Sequence, residues 1–501
     1  MTLCGSCTKG TPPPTTSPDQ PATAADLPPL GDTSAAYAGH AGAAADDGGR
    51  VRPAAAKVED RDAAFEAIAH GNPEGAAAFL REHLQAKPTD RDARLALARA
   101  QLMLGAFGEA ATTLADPSGS PDDPEFVRRR AQIAWRRGQA DDAERLLDAG
   151  LRAHPGNVPL VGARLWAMAR RGQAGTDQAK ALRDSLYDAY DAGQVTTAED
   201  LVAVAQAALS RGTGGAFHDA NMVLQDAENL APATEGRWIS DEVLLLRGAM
   251  FLEKYSVAEA AETYGIVLQR DSWHVDALIG MARVHMNGLR FAEAARHAEE
   301  VLQVAPHHPD AHAVLARMAL IEGRRDETER RGEQESLAAN PHHTPGLAAL
   351  AGLAIARDDA KAYARWRDAA LVVDPRGRDF YTDLADILGF LHLYPESDQI
   401  LREAVKRAPE DPYVQSALGL NLLRLGHEQE GRKALASAWD RDQFNERTHN
   451  VLQLYKETID PHYLDRTIGD LTVRLPKEDA ELIEPGLLGS VLQSRDELDG
   501  H

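Results

Sequence analysis

Apolar residues recur every three or four positions from about Lys57 almost to the end of the chain, and glycines and prolines separate the runs. This interval places the apolar side chains on one face of an α-helix, whereas a half-buried strand alternates apolar and polar residues. No segment before Leu471 has the alternation of a strand. The pattern therefore predicts an all-α fold built from consecutive helices.

A period of about 34 residues organises these helices, as in repeat proteins built from helix pairs. Four prolines lie 35, 34 and 34 residues apart: Pro306, Pro341, Pro375 and Pro409. In each period, a first helix with a conserved spacing of small and bulky residues ends at a turn near Gly288, Gly323, Asp358, His392 or Gly426. A second helix follows, and its key position holds Ala294, Thr328, Tyr363, Ser397 or Gly431.

This pattern resembles the tetratricopeptide repeat, in which small residues let two helices approach, bulky residues fill the gap and a proline stops the second helix. The fullest copy consists of Leu244, Gly248, Phe251, Tyr255, Ala260 and Tyr264, and Pro88 and Pro155 close two further copies. The resemblance implies a right-handed superhelical solenoid. The 387 residues from Lys57 to Gln443 give room for about eleven helix hairpins.

Changes in composition and in the periodicity of apolar residues divide the chain into five regions. We expect residues 1–56 to be a disordered Pro/Thr/Ala-rich tether, because this composition cannot bury a core. Residues 57–157 and 241–459 carry the repeats, and residues 158–240 carry degenerate helical repeats that lack the glycine and proline marks. In the tail, 460–501, the stretch "DLTVRL" alternates like a strand, and Lys477 to Glu497 predicts a helix.

The two cysteines, Cys4 and Cys7, both lie in the opening "MTLCGSC", so no disulfide framework supports the repeats. A small-residue pair before Cys7, followed by the tether, resembles the start of a mature bacterial lipoprotein. The resemblance implies an acyl group on Cys7 and a place in the cell envelope, provided that the natural start lies upstream. The signal peptide is not in the sequence, and Cys4 stands where that motif usually has Leu. The alternative is a plain tail on a cytoplasmic protein.

Charge and motifs narrow the classes of function. The net charge is −23, from 54 basic and 77 acidic residues, whereas proteins that bind nucleic acid through phosphates need the opposite balance. No apolar run is long enough to span a membrane, so we expect membrane contact only through the lipid. The stretch "HEQEG" at His427 lacks the second histidine of a zinc motif, and "RGTGGAF" at Arg211 is no phosphate-binding loop. We therefore expect no cofactor and no enzymatic activity.

Paired histidines occur in "APHHPDAH" and again in "NPHHTPGL". His307 and His308 are adjacent and point in different directions. His308 and His312 are four residues apart and could share an ion, but zinc requires further ligands that the sequence does not offer. We interpret the pairs as solvent-facing turn residues between repeats and predict no metal site.

In tetratricopeptide repeat proteins the first helices line a concave groove that binds peptides. By that register the groove would present Arg283, Met286, Arg317, Leu320 and Ile355. Two stacked arginines beside an apolar strip would hold an extended acidic and apolar peptide. The alternative is that these residues only pack between neighbouring repeats. A clamp for a terminal carboxylate is not expected, because Lys and Asn are missing from the matching positions: Ile279, Arg283, Ala313, Arg317, Ala348 and Gly352.

The segment "FNERTHNVLQLY", from Phe444 to Tyr455, resembles the junction between helical repeats and a gluzincin-type metallopeptidase domain in some bacterial proteins. The H-E-x-x-H motif of that family is absent here. Three functions follow as hypotheses. The chain is a non-catalytic scaffold for protein–protein interaction, or the substrate-binding arm of a peptidase whose catalytic domain is missing from this chain, or a pilus or secretion assembly lipoprotein.

Overall fold

The computed structural model describes residues 50–118, 120–212, 214–234, 237–468 and 471–482, with isolated positions beyond. Within these residues, helices pair into eleven consecutive antiparallel hairpins. Hairpins 1 to 6 are α1 and α2 (Arg61–Ala69, Pro73–Ala86), α3 and α4 (Arg91–Met103, Phe107–Ala115), α5 and α6 (Pro124–Arg136, Ala140–Ala153), α7 and α8 (Val158–Arg170, Asp177–Asp191), α9 and α10 (Ala198–Leu209, Gly214–Thr234), and α11 and α12 (Arg237–Glu253, Val257–Arg270).

The second half of the chain continues the series. Hairpins 7 to 11 are α13 and α14 (Val275–Asn287, Phe291–Val304), α15 and α16 (Pro309–Ile321, then 325–339 with a π-helical section Arg330–Ser336), α17 and α18 (Thr344–Ala356, Ala360–Leu371), α19 and α20 (Arg378–Phe390, Tyr394–Arg407), and α21 and α22 (Pro412–Arg424, Glu428–Arg441). A last helix, α23 (Glu446–Gln453), leads into a π-helical section Leu454–Ile459. The predicted all-α solenoid of about eleven hairpins is confirmed.

The residue two positions after a repeat proline begins the next first helix. Asp90, Asn157 and Asp411 follow Pro88, Pro155 and Pro409 in this way, and each side chain accepts a hydrogen bond from a backbone N–H in the first turn. Such caps satisfy N–H groups that have no partner inside the helix. The proline therefore stops one helix, and the short polar residue after it starts the next.

A residue with positive φ separates the two helices of every hairpin. The eleven positions are Gly71, Gly105, Gly138, Gly172, Gly212, Tyr255, Leu289, Gly323, Asp358, His392 and Gly426. Glycine adopts this backbone conformation without strain, whereas a side chain with a Cβ is strained there. The predicted turn at Gly288 is therefore displaced by one residue, because the left-handed position is Leu289, with a φ of 58°.

Small side chains form the contacts between the helices of a hairpin. Ala260, Ala294, Thr328 and Ser397, which occupy the key position of the second helix, are fully buried. In hairpin 6, a Cβ added at Gly248 would lie 2.8 Å from the ring of Tyr264. The low aromatic content of the chain therefore suits its core, because close helix contact replaces large side chains.

Hairpin turns also touch linkers far along the chain, and we call this set of contacts the seam. Asn340 Nδ2 donates to the carbonyl of Arg136 at 3.1 Å, across 204 residues. Arg376 Nη2 donates to the carbonyl of Ala169 at 2.8 Å, across 207 residues. Both carbonyls lie in the last turn of a first helix, where the regular helical partner is missing, although the carbonyl of Ala169 also accepts a hydrogen bond from the N–H of Gly172 at 3.1 Å. The seam therefore caps the ends of α5 and α7.

The turns of hairpins 1, 2 and 6 also contact linkers far along the chain. A Cβ added at Gly71 would overlap the carboxylate of Asp271, and one at Gly105 would lie 3.0 Å from Cβ of Ala305. In hairpin 6 the N–H of Glu446 donates to the carbonyl of Lys254 at 3.0 Å. These contacts place hairpins 1 to 4 and 6 directly against the linkers after hairpins 6 to 9 and 11.

Residues 50–52 strengthen the first contact of the seam. Arg50 Nε donates to Glu300 of α14 at 2.9 Å, and its guanidinium lies 5.1 Å from the ring centre of Trp273. Arg52 binds Glu74 of α2, and its N–H donates to Gln303 of α14 at 3.1 Å. This short segment therefore joins hairpin 1 to hairpin 7.

The tail forms a two-stranded antiparallel ribbon from β1 (Tyr463–Ile468) and β2 (Leu471–Pro476). The strand predicted from "DLTVRL" is β2, whereas β1 was not predicted. Arg474 fixes the ribbon to the last hairpin, because its Nη2 donates to Glu428 at 2.6 Å and its Nε to Asp465 at 2.8 Å. Of the 21 residues of the predicted helix 477–497, ten lie outside the described residues.

We predict that Leu289→Gly stabilises the protein by about 0.5–1 kcal/mol, because glycine removes the strain of the left-handed conformation. The side chain of Leu289 is 63 % exposed, so little packing is lost. Urea denaturation would measure the change. Leu289→Ala is the matched control, since it shortens the side chain but keeps the strained Cβ. Equal stability of the two variants would contradict the prediction.

The seam contact of hairpin 6 predicts a large effect of one lysine. Lys254 and Asp442 form an ion pair and are 5 % and 1 % exposed. Lys254→Met should lower the free energy of unfolding by about 3 kcal/mol, because it leaves a buried carboxylate without its partner. Amide exchange should then increase together at residues 254–256 and 442–446.

Lys361→Met is the control, because Lys361 is an exposed lysine of α18. Adding Asp442→Leu to the Lys254→Met variant should restore part of the lost stability, because it removes the unpaired charge. A Lys254→Met protein as stable as the control would show that the pair does not hold the seam.

Candidate functional site

The first helices of different hairpins face one another on the inner side of the solenoid, and charged side chains cross between them. Arg129 of α5 binds Glu242 of α11, and Arg128 of α5 donates to Glu199 of α9 at 2.7 Å. Arg128 and Arg129 also both bind Glu125 of their own helix, at 2.8 and 2.6 Å. Ion pairs therefore occupy the inner side at hairpins 3 to 6.

The pKa values of Glu199 and Glu125, two carboxylates of this cluster, are shifted in opposite directions. Burial raises the pKa of Glu199 to about 7, and the charge of Glu125 adds to the effect. The pKa of Glu125 itself is lowered to about 2, because Arg128 and Arg129 outweigh the effect of burial. Arg129 and Arg128 also lower the pKa of Glu242 against the effect of burial, so Glu125 and Glu242 are the carboxylates that remain ionised beside the two arginines.

Hairpins 7 to 9 carry the five residues predicted to form a groove. Arg283 and Met286 lie on α13, Arg317 and Leu320 on α15, and Ile355 on α17. Together with Asp383, Asp386 and Phe390 of α19, which are described below, we call them the concave patch. The structure brings the five onto three adjacent first helices, but it gives them different surroundings.

Leu320 is only 2 % exposed. Its Cδ2 atom would lie 3.2 Å from a Cβ added at Gly352, so it fills the gap between α15 and α17. Met286 and Ile355 are partly buried against the neighbouring core clusters. Leu320 therefore packs between repeats, whereas Met286 and Ile355 keep some apolar surface.

The two arginines of the patch are not equivalent. Arg283 forms an ion pair with Asp310, the second residue of the next first helix, α15. Arg317 forms no ion pair or hydrogen bond within the described part of the chain, and its Nε is buried without a partner. Its guanidinium lies 5.7 Å from the ring centre of Phe390, where a cation–π contact stabilises it. One arginine is thus neutralised, and the other lacks a hydrogen-bonding partner.

Helix α19 contributes three residues that the sequence did not reveal: Asp383, Asp386 and Phe390. They are spaced by three and four positions and share one helix face. Phe390 packs edge-on against Phe291 of α14, with ring centres 5.3 Å apart. Arg447 Nη1 donates to Asp386 at 3.2 Å. The repeat period was a usable signal, because Arg283, Arg317, Gly352 and Asp386 follow it.

Asp383 has no hydrogen bond or ion pair within the described residues, although it is only partly exposed. Burial raises its pKa to about 6, and the neighbouring Asp379 and Asp386 act in the same direction. Arg317 and Arg283 oppose this effect without bonding to the carboxylate. The patch therefore contains an arginine and an aspartate that both lack a partner.

Comparison with protein-family models decides the class of repeat. A tetratricopeptide repeat model matches residues 67–119 and 251–317, and a second model of this repeat matches residues 113–158. The chain contains tetratricopeptide repeats. Such repeats form protein-interaction scaffolds, because stacked helix pairs present an extended concave surface. The match at 251–317 includes Arg283, Met286 and Arg317.

Two solved structures are similar to the chain at low sequence identity. Yeast Tom70 is 12 % identical with a TM-score of 0.35, and the similarity covers 77 % of this chain and 94 % of that one. A tetratricopeptide repeat protein from Parabacteroides merdae is 15 % identical with a TM-score of 0.33, and 56 % of this chain and 98 % of that one are covered. No curated protein matches the sequence.

The interpretation of the histidine pairs as solvent-facing is wrong for two of the four paired histidines, His308 and His343. His308, His312 and His343 are buried, whereas the side chain of His307 is exposed and binds Glu335 at 3.1 Å. His308 and His343 stand two residues after a repeat proline and therefore begin the tetratricopeptide first helices α15 and α17. The ring of His308 faces Phe107 of hairpin 2, with 6.3 Å between ring centres, and so belongs to the seam.

A metal centre or a membrane span would give the described part of the tetratricopeptide solenoid another kind of function. Among these residues, no group of three or more His, Cys, Asp or Glu side chains is placed to hold a metal ion. None of the described helices has the length and hydropathy of a membrane span. Cys7, the candidate for lipidation, lies outside the described residues.

We predict that His308 makes the protein less stable in acid. Burial lowers its pKa to about 4, although Asp310 and Asp276 oppose this shift. Between pH 6.5 and 4 the unfolded chain binds a proton that the folded chain does not, so stability falls as the pH falls. His308→Leu should remove up to about 3 kcal/mol of this loss, measured by urea denaturation at several pH values.

His218→Leu is the control, because His218 is an exposed histidine on α10. The control should keep the acid dependence of the unmodified protein. If His308→Leu keeps it as well, another group is responsible for the acid sensitivity.

Proposed function

We propose that the chain is a non-catalytic scaffold that binds a segment of a partner protein at the concave patch. The observation that carries the proposal is the contrast between two parts of the inner side. Ion pairs occupy hairpins 3 to 6, whereas the patch on hairpins 7 to 10 combines apolar surface with two unpaired charges, Arg317 and Asp383. Buried polar groups usually have partners, so unpaired ones on an inner surface favour a ligand.

The contacts of the two arginines change the expected ligand, since Arg283 is already neutralised by Asp310. An acidic peptide held by two free arginines therefore loses support. The proposal includes no catalytic step, because the sequence contains no nucleotide, zinc or nucleophile motif. It also includes no nucleic acid partner, because the chain is strongly acidic.

Location remains part of the proposal. An acyl group on Cys7 would place the scaffold in a bacterial cell envelope if the natural start lies upstream, and a role in pilus or secretion assembly would fit that place. The support is the sequence around Cys7 and the tether that follows it. Without the acyl group the scaffold would be cytoplasmic.

The ribbon in the tail favours a second candidate function, the substrate-binding arm of a metallopeptidase whose catalytic domain is absent from this chain. A ribbon of two strands is marginally stable alone, and further strands or a helix are needed to complete it. The ribbon is nevertheless held firmly on hairpin 11 by Arg474, and Lys477 Nζ donates to the carbonyls of Asp460 and Pro461 at 2.9 and 2.8 Å. Such a ribbon is a suitable attachment point for another domain.

Selection from a phage-displayed library of random peptides on the full chain would test the scaffold proposal. We expect the selection to enrich a set of peptides. Met286→Trp should prevent these peptides from binding, because the larger side chain covers the apolar surface of the patch. Individual peptides should bind the variant at least tenfold more weakly, measured by fluorescence anisotropy. Circular dichroism would show that the variant is folded.

Met222→Trp is the matched control, because Met222 is a half-exposed methionine on α10, outside the patch. It should bind the selected peptides like the unmodified chain. A library that yields no enriched peptide, or peptides that bind both variants equally well, would overturn the proposal.

A further inference from the structure

Asp383 of α19 and Arg317 of α15 both belong to the concave patch and carry opposite charges without pairing. They influence each other electrostatically, yet no ion pair joins them, so their charged atoms are more than 4.0 Å apart. Every other described carboxylate and guanidinium named on this surface has a partner: Arg283 with Asp310, and Asp386 with Arg447. The unpaired state is therefore particular to these two residues.

The surroundings explain why the two groups do not simply pair. The guanidinium of Arg317 is held at the ring of Phe390, and Phe390 is itself fixed by Phe291. Asp383 lies two helical turns before Phe390 on α19, so it is offset along the helix from the place where Arg317 is held. Both groups are therefore left to bind a ligand, since no ion pair joins them.

Each group defines what it can bind. An ionised carboxylate accepts hydrogen bonds and cannot donate them, so Asp383 binds donors, and an ammonium or guanidinium group most strongly. A guanidinium donates and cannot accept, so Arg317 binds acceptors such as a carbonyl or carboxylate oxygen. Met286 and Ile355 add apolar surface beside them. Charge-assisted hydrogen bonds of this kind are about twice as strong as neutral ones and give specificity.

We propose that Asp383 selects partner segments that carry a lysine or arginine next to apolar residues, while Arg317 holds a carbonyl or carboxylate oxygen of the same segment. This inference rests on the proposed scaffold function and names the chemistry of its ligand. Two stacked arginines would favour an acidic side chain in the ligand. Asp383 favours a basic side chain instead, so the expected charge of the ligand is reversed.

The pH dependence of binding follows from the charges that face Asp383. These are Arg317 of α15 and Arg283 of α13, which favour the ionised form, and Asp379 and Asp386 of its own helix, which disfavour it. Burial has the largest effect, acts in the same direction as Asp379 and Asp386, and raises the pKa of Asp383 to about 6. A basic ligand should therefore bind well at pH 7.5 and lose affinity towards pH 5.5, as the carboxylate takes up a proton.

The test uses the same random peptide library and selects on the full chain and on Asp383→Asn in parallel. Peptides selected on the unmodified chain should share a basic residue beside apolar ones. They should bind Asp383→Asn at least tenfold more weakly at pH 7.5, and their affinity for the unmodified chain should fall between pH 7.5 and 5.5. Asp326→Asn, at a fully exposed aspartate of α16, should bind them normally.

Misfolding of Asp383→Asn would be visible as a lower melting temperature, but we expect it to be at least as stable as the unmodified chain at pH 7.5, because it removes a disfavoured buried charge. Peptides that Met286→Trp blocks but that lack a basic residue, or that bind Asp383→Asn unchanged, would overturn this inference and leave the scaffold function standing. A library without any enriched peptide would overturn both.

Discussion

The seam between hairpin turns and distant linkers is the contact on which the rest of this structure depends. In most solenoids each repeat touches only its neighbours. Here backbone carbonyls at the ends of first helices, such as those of Arg136 and Ala169, accept hydrogen bonds from Asn340 and Arg376, more than 200 residues later. A helix end leaves such carbonyls without their regular helical partners, and the seam supplies hydrogen bonds that water would otherwise make.

Winding the chain tightly enough to form the seam also brings the first helices together on the inner side. Charged residues there must either pair or lose hydration without compensation. At hairpins 3 to 6 they pair, as Arg128 does with Glu199 and Arg129 with Glu242. At hairpins 7 to 10 the pairing is incomplete, and Arg317 and Asp383 stay without partners. The candidate site is therefore the part of the inner surface where the protein does not neutralise its own charges.

The sequence predicted local structure well, because helices, turns and caps depend on residues within one repeat. The prolines at a spacing of about 34 residues identified the hairpins. The sequence does not predict the seam, since no residue near His308 along the chain indicates that Phe107 lies against it. For the same reason, the sequence alone suggests that the histidine pairs are surface residues. In the site, Arg283 and Arg317 were placed on the correct helices, but their partners Asp310 and Phe390 come from other repeats, so their availability could not be predicted.

The seam also limits how such a protein can change its length. Repeat proteins commonly gain or lose single repeats, because each added unit contacts only the units beside it. In this chain, removal of hairpin 7 would shift the linkers after hairpins 8, 9 and 11 relative to the turns of hairpins 3, 4 and 6 that they contact. Asn340, Arg376 and Glu446 would each face the wrong helix end. The number of repeats between the two sides of the seam is thus fixed, as the number of strands is in a closed barrel.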